Sequence, residues 1–207
     1  MTDAARKFDD VARGYTERTY ADPERVHVRR APLVVELGPS LGPGDRVLDL
    51  GCGDAYLGPR LLAAGLDYTG VDASAGMVAA AAERVGAGRV ALGDLATFRP
   101  PEDVAATTCF NAIRYVVDLE AFFRHVAGYT TKKIVFDLSP RELSVEGARA
   151  AADAAGLPSF DVRPFFVPQS RRLPRGAAAA LEAAERVPPL ARLALRARFM
   201  VVCAASR

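Results

Sequence analysis

From residue 46 onward, short apolar runs alternate with longer amphipathic ones. The run RVLDL (46–50) has the rhythm of a buried strand, and YLGPRLLAAG (56–65) that of a helix. DYTGVD (67–72) is a second strand, followed by the helical SAGMVAAAAERVG (74–86) with Ser74 as its N-cap. RVALGD (89–94) and VAATTCF (104–110) predict two further strands. LEAFFRHVAGY (119–129) is a helix and KKIVFDL (132–138) a buried strand. VEGARAAADAAG (145–156) is a helix that stops at Gly156, and SFDVRPFFVP (159–168) is extended. A helical stretch over 176–195 leads to a last strand, ARFMVVCAA (197–205). Ahead of this alternation, residues 1–38 read as helical, with Asp22 capping a helix that has Pro23 in its first turn. PSLGPGD (39–45) separates the two regions.

Strands alternating with helices of about a dozen residues predict an α/β fold, with a mostly parallel sheet covered on both faces. Right-handed crossovers make such a sheet doubly wound. Its ligands bind beyond the carboxyl ends of the strands, where strand order reverses, and the first strand normally lies there. The stretch VLDLGCGDAY (47–56) is therefore the expected site.

Composition narrows this picture only modestly. A chain of 207 residues suits one domain, here 1–207. Half the residues are apolar and the net charge is +2, so nothing global calls for nucleic acid or an anionic membrane. No apolar run reaches the length of a membrane span, and the first fifteen residues do not read as a signal peptide. Cys52, Cys109 and Cys203 are odd in number and far apart. No metal site is expected, and a reducing cytoplasm fits.

The glycines define the candidate chemistry. Gly51 and Gly53 are followed by Asp54, Ala55 and Tyr56, so the third glycine of a dinucleotide fingerprint is missing. There is no Walker lysine. Asp49, two residues before the first glycine, would repel a pyrophosphate and attract an ammonium group. Asp72 closes the second strand, 21 residues after Gly51, where a doubly wound fold places the acid that takes ribose hydroxyls. Asp94 ends the third strand, where an acid can accept from an adenine amino group.

Asp49-x-Gly51-x-Gly53, Asp72 and Asp94 together resemble the successive motifs of the class I S-adenosylmethionine-dependent methyltransferases. The resemblance covers residues 46–137, the cofactor-binding core, and implies a seven-stranded Rossmann-like sheet with residues 1–38 as an N-terminal helical cap. It also implies S-adenosyl-L-methionine as cofactor and S-adenosyl-L-homocysteine as product. Carried over by position, Gly51, Cys52 and Gly53 form the loop at the methionine part, supported by Asp49. Asp72 takes the ribose, and Ala73 and Met77 pack near the adenine. Asp94 and Leu95 hold the adenine edge, and Cys109 to Asn111 face the sulfonium. Many members have a third glycine where Ala55 stands. Alanine costs little in a helix, so a small shift in loop shape is expected there.

Methyl transfer from a sulfonium needs alignment more than a base, so no obligatory catalytic signature exists. The candidates on the acceptor side are Asn111, Arg114 and Tyr115 after the fourth strand, and His27 in the N-terminal segment. Tyr15, Arg18, Tyr20, Arg29 and Arg30 crowd that segment. One of them pairs with the cofactor carboxylate in this reading, with Tyr15 and Arg30 counted in the cofactor set. His125 reads as structural. The stretch RPFFVPQSRRLPRG (163–176) joins two aromatics to Arg171, Arg172 and Arg175, and 163–195 is either a lid or a connector. CFNAIRY (109–115) lacks the Pro-Pro motif of many amine-directed methyltransferases. With the near-neutral charge, this favours a small-molecule acceptor and no nucleic acid. No membrane partner is expected, and the chain is expected to be a monomer or homodimer. The alternatives are an RNA or protein methyltransferase, supported if the arginines converge, and a non-catalytic S-adenosylmethionine-binding protein.

Overall fold

Seven strands form a single sheet in the order β3-β2-β1-β4-β5-β7-β6 in the computed structural model. The structure describes residues 8–9, 11–139, 142–185, 187 and 200–207. The strands are β1 (Arg46–Leu50), β2 (Asp67–Asp72), β3 (Val90–Leu92), β4 (Val104–Cys109), β5 (Thr130–Leu138), β6 (Ser159–Pro164) and β7 (Val201–Ser206). Pairings from β3 across to β5 are parallel; β7 runs antiparallel to both β5 and β6. The expected doubly wound, mostly parallel sheet is therefore present, and strand order reverses between β1 and β4. The first two strands match the apolar runs residue for residue, whereas RVALGD pairs only over Val90–Leu92 at the sheet edge.

The described helices are α1 (Tyr15–Thr19), α2 (Pro23–Glu36), α3 (Gly58–Ala63), α4 (Ala75–Val85), α5 (Leu119–Ala127), α6 (Val145–Ala154) and α7 (Arg175–Glu185). The side chains of Asp22 and Ser74 cap α2 and α4 by accepting from the amides of Arg25 and Met77. Asp118 and Ser144 do the same for α5 and α6. Each cap satisfies a donor that the first helical turn leaves open. Helix α3 begins two residues later than the apolar pattern suggests. The expected helix over 176–195 is described only to Glu185, and most of its remainder lies outside the described residues.

Alternation along the strands builds two cores. Val47 and Val135 face one side with Val26 and Val34 of α2, Leu61 of α3 and Ala81 of α4. Leu48, Leu50, Ile134 and Phe136 face the other with Phe122, Phe123 and Val126 of α5 and Ala148 and Ala152 of α6. Period-two side chains on a sheet covered on both faces give this arrangement directly. A cation enters the first core region: Lys133, fully buried, donates to the carbonyls of Val35 (3.0 Å) and Leu37 (2.7 Å) at the end of α2. There it bonds two carbonyls at the helix end, that of Val35 shared with the Leu41 amide, and burial, with Lys132 adding to it, lowers its pKa to about 8. No helix among the described residues is long and apolar enough to cross a membrane.

Candidate functional site

A cavity of about 600 Å³ opens where strand order reverses, at the carboxyl ends of β1, β2 and β4. Its floor is the glycine loop. Gly51 and Gly53 have φ of +71° and +57°, a region that favours glycine. A Cβ on Gly51 would lie 2.4 Å from the Ala112 Cβ, so that glycine is required by crowding as well. The amides of Gly51 and Cys52 both donate to the Val71 carbonyl, fixing the loop against β2.

Ala55 corrects an expectation. It does not lie in a helix: it is buried at φ +53°, three residues before α3 begins. The turn continues through this position, so the relevant cost is the left-handed backbone and not helix propensity.

The acids of the motif have distinct tasks. Asp49, on β1, accepts from the Thr108 hydroxyl at 2.6 Å and the Tyr68 hydroxyl at 3.0 Å. Burial raises its pKa to about 6 despite those two bonds. Asp72 accepts from the Gly53 amide and the Ser74 amide, each at 2.9 Å, joining the loop to the start of α4. Burial raises its pKa as well. Asp94 is exposed and accepts from the Ala96 amide at 2.8 Å.

The cavity brings together nearly all the residues singled out above. Asp49, Gly51, Cys52, Gly53, Asp72 and Ala73 line it, as do Met77, Asp94, Leu95 and Asn111. From the N-terminal segment come Tyr15, Tyr20, His27 and Arg30, and Tyr115 stands at the rim, edge-on to Phe8. Cys109 does not line it. The alternation of β4 sends Thr108 toward Asp49 and Cys109 into the core beside α5, where burial raises its thiol pKa. Cys52 packs over Gly70, and burial likewise raises its thiol pKa well above the ordinary value. Arg114 borders a smaller neighbouring cleft with Glu142 and Gln169.

Arg30 lines the cavity but is committed internally. Its Nη2 lies 2.5 Å from Asp137 and its Nη1 donates to the Tyr20 hydroxyl at 3.2 Å. Asp137 also accepts from the amide of Asn111, which holds φ +58° and donates from its side chain to Tyr20. Arg29 turns away to Glu185, and Arg18 to the Val11 carbonyl. His27 is 7% exposed rather than at the surface, and neither ring nitrogen has a partner. Burial first, then Arg30, Arg60 and Arg84, hold its pKa down at about 2. His125 bonds the Phe98 carbonyl away from the cavity.

Several contributors escaped the sequence reading. Asp54, buried beneath the N-terminal segment, accepts from the amide and hydroxyl of Thr16 and lies 3.4 Å from Arg84. Asp9 accepts from the Ser74 hydroxyl (2.6 Å) and the Gly76 amide (3.0 Å) at the start of α4. These two acids fasten the N-terminal segment over the loop. Tyr56 and Phe122 complete the apolar wall beside Phe110, which the stretch Cys109 to Asn111 had placed at the site. No local pattern marks them; only an acid directly after G-x-G hinted at Asp54. Among the described residues, none from 163–185 lines the cavity; Phe165 and Val167 are buried in the core beneath α2 instead. No cluster among the described residues could hold a metal ion.

Residues 47–133 match the family model of a methyltransferase domain. Over 131 residues the chain is 37% identical to a demethylmenaquinone methyltransferase of Mycobacterium marinum, covering 62% of this chain. The chain spans about half of that relative's length, 54%. Two solved structures share the fold at low identity. The [4+2]-cyclase SpnF aligns with a TM-score of 0.67 at 19% identity, over 99% of this chain and 94% of that one. Geranyl diphosphate C-methyltransferase from Streptomyces coelicolor, solved with S-adenosyl-L-homocysteine, aligns with a TM-score of 0.61 at 18% identity, over 94% and 81%.

Proposed function

We propose, from a chain that carries a methyltransferase domain of the class I fold, that it transfers a methyl group from S-adenosyl-L-methionine to a small-molecule acceptor. One observation carries the reading: the glycine loop, Asp49, Asp72 and Asp94 converge on a single cavity at the point of strand reversal.

The residues present fit this cofactor. The motif side chains around the loop are carboxylates, which suit an ammonium group and ribose hydroxyls and repel a pyrophosphate. Asp72 would hold the ribose, Ala73, Met77 and Leu95 the adenine, and Asp94 its polar edge. Asp49 would sit behind the methionine part. Arg30 would contribute positive potential near the cofactor carboxylate while remaining bonded to Asp137. When bound, the cofactor supplies a methyl group already activated by a sulfonium. The chain's own work is then to align the acceptor and exclude water. Tyr15, Tyr20 and Phe110 wall the cavity for that purpose, and no residue need act as an obligatory base.

The pairing of surface charge favours a small acceptor over RNA. Arg25 and Arg29 are matched by Glu182 and Glu185, and Arg172 by Asp22, so these arginines form no unbalanced basic strip. The fold is shared by a cyclase, so turnover has to be measured directly.

Calorimetric titration with S-adenosyl-L-methionine and S-adenosyl-L-homocysteine tests the cofactor, with NAD as control. Binding of both, at least tenfold weaker in Asp72→Ala and absent for NAD, is the expected result; a charged hydrogen bond of about 1.5–3 kcal/mol accounts for that loss. An absence of binding overturns the reading. Salt-sensitive tRNA binding would replace the small acceptor with RNA.

A further inference from the structure

We propose that α1 is a gate over the cofactor end of the cavity, and that the carboxylate of Asp54 is its latch, acting through Thr16. This rests on reading the glycine loop as the seat of S-adenosyl-L-methionine.

Asp54 follows the loop glycines directly and lines the cavity, yet both of its carboxylate oxygens are already engaged. Oδ1 accepts from the Thr16 hydroxyl, and Oδ2 from the Thr16 amide at 3.2 Å. An acid at this position would also repel the carboxylate of the cofactor, so binding it is not the task. The side chain is 2% exposed and is braced from behind by Arg84. The Arg84 Nε donates to the Asp54 carbonyl at 2.9 Å, and its Nη2 lies 3.4 Å from the carboxylate. The latch is thus fixed to the loop by charge-assisted bonds.

What it holds is otherwise lightly attached. Thr16 is the buried residue of this five-residue helix, and no side chain of α1 joins either apolar core. Glu17 meets Arg84 at 3.4 Å with half of its side chain exposed, and Tyr15 packs edge-on against Phe8. A segment with so little apolar burial opens at low cost. When it does, water takes the place of Thr16 on the Asp54 carboxylate, so the charge is not stranded. The ends of the helix suit a swing. Gly14, just before α1, has φ +65°, while Tyr20, just after it, is extended and anchored by Arg30 and Asn111. Position makes the opening matter. Tyr15 and Thr16 line the cavity, and the Tyr15 Cδ1 lies 3.9 Å from the Cβ position of Gly53. A molecule seated on that loop has α1 across it. Closed, α1 screens the loop from water; open, it admits the cofactor and lets the product leave.

Surface plasmon resonance with S-adenosyl-L-homocysteine measures both rates. Thr16→Val removes the hydroxyl donor and keeps the branched shape of the side chain. It should speed release about tenfold, as the loss of a hydrogen bond to a charged group gives, without slowing association. Thr16→Ser keeps the donor and should release at close to the wild-type rate. A loop merely disordered by the substitution would associate more slowly, whereas an unlatched gate does not. A second readout needs neither ligand nor variant: trypsin cleavage after the exposed Arg18 on α1, followed by mass spectrometry. In the wild type this cleavage should outpace global unfolding and be slowed by S-adenosyl-L-homocysteine, and it should accelerate in Thr16→Val. Slower association or unchanged release in Thr16→Val, or cleavage after Arg18 no faster than unfolding, would overturn the proposal. Failure to bind S-adenosyl-L-homocysteine would instead overturn the cofactor reading, and cleavage of the free wild type and Thr16→Val would still decide whether Asp54 latches α1.

Discussion

Arg30 and Asp137 meet at 2.5 Å with neither side chain reaching solvent. The pair joins α2 to the end of β5, and its second carboxylate oxygen holds the amide of Asn111. Removing one partner leaves a buried charge uncompensated. Asp137→Ala should therefore cost about 3–5 kcal/mol in urea denaturation. The double variant Arg30→Met/Asp137→Leu should recover most of it. If the single variant costs less than about 1 kcal/mol, the pair is not a structural hinge between α2 and the sheet.

The two loop glycines should respond differently to alanine. Both sit at positive φ, which costs about 1–2 kcal/mol for any other residue. At Gly53 the nearest atom to an added Cβ is 3.9 Å away, so Gly53→Ala should lose only that amount. At Gly51 the added Cβ would overlap Ala112, adding about 1–3 kcal/mol of overpacking. Thermal melts of the two variants, with Ala112→Gly as the rescue for Gly51→Ala, check this. Equal losses would place the cost in the backbone alone.

His27 makes stability depend on acid. Its folded pKa of about 2 lies below the ordinary 6.5, so the unfolded chain takes the proton first. The contribution is fully present above pH 6.5 and is lost as pH falls toward the folded value. Relative to His27→Leu, the wild type should lose about 1.4 kcal/mol per pH unit below that point. Parallel denaturation curves from neutral pH to pH 5 measure the difference. Parallel acid dependence of the two proteins would mean that the imidazole is charged in the fold.

Asp49 predicts a pH effect on binding. Its pKa is raised from 3.8 to about 6, so the carboxylate is ionised above that value and neutral below it. Affinity for S-adenosyl-L-homocysteine, whose amino group is a cation, should decline as pH falls through about 6, by up to about tenfold per unit. Asp49→Asn should bind more weakly and without that inflection. An unchanged pH profile in the variant would assign the inflection to another group.

The limits of the first two strands, and the acids that meet at one cavity, were legible because they depend on local chemistry. An apolar run bounded by glycines can only be a short buried strand here, and an acid at the end of the second strand has one geometric place to go. What was not legible depends on contacts across the chain. Asp54 and Asp9 act on residues 38 and 65 positions away. Cys109 missed the cavity because the face of a strand residue depends on parity, and Thr108 took the inward position. Ala55 misled because a residue's propensity is informative only once its backbone state is known. His27 was legible as a candidate, but its burial comes from Tyr20 and Tyr56 closing over it.

The placement of β7 has a consequence for synthesis. This strand separates β5 from β6, so the edge of β5 stays open until residues 201–206 have emerged from the ribosome. The strands β1 to β5 can pair earlier, since their partners are made in the first two thirds of the chain. A nascent chain arrested near residue 200 should therefore carry an assembled cofactor end beside an exposed apolar strand edge. That is a form for a chaperone to shield and a protease to find.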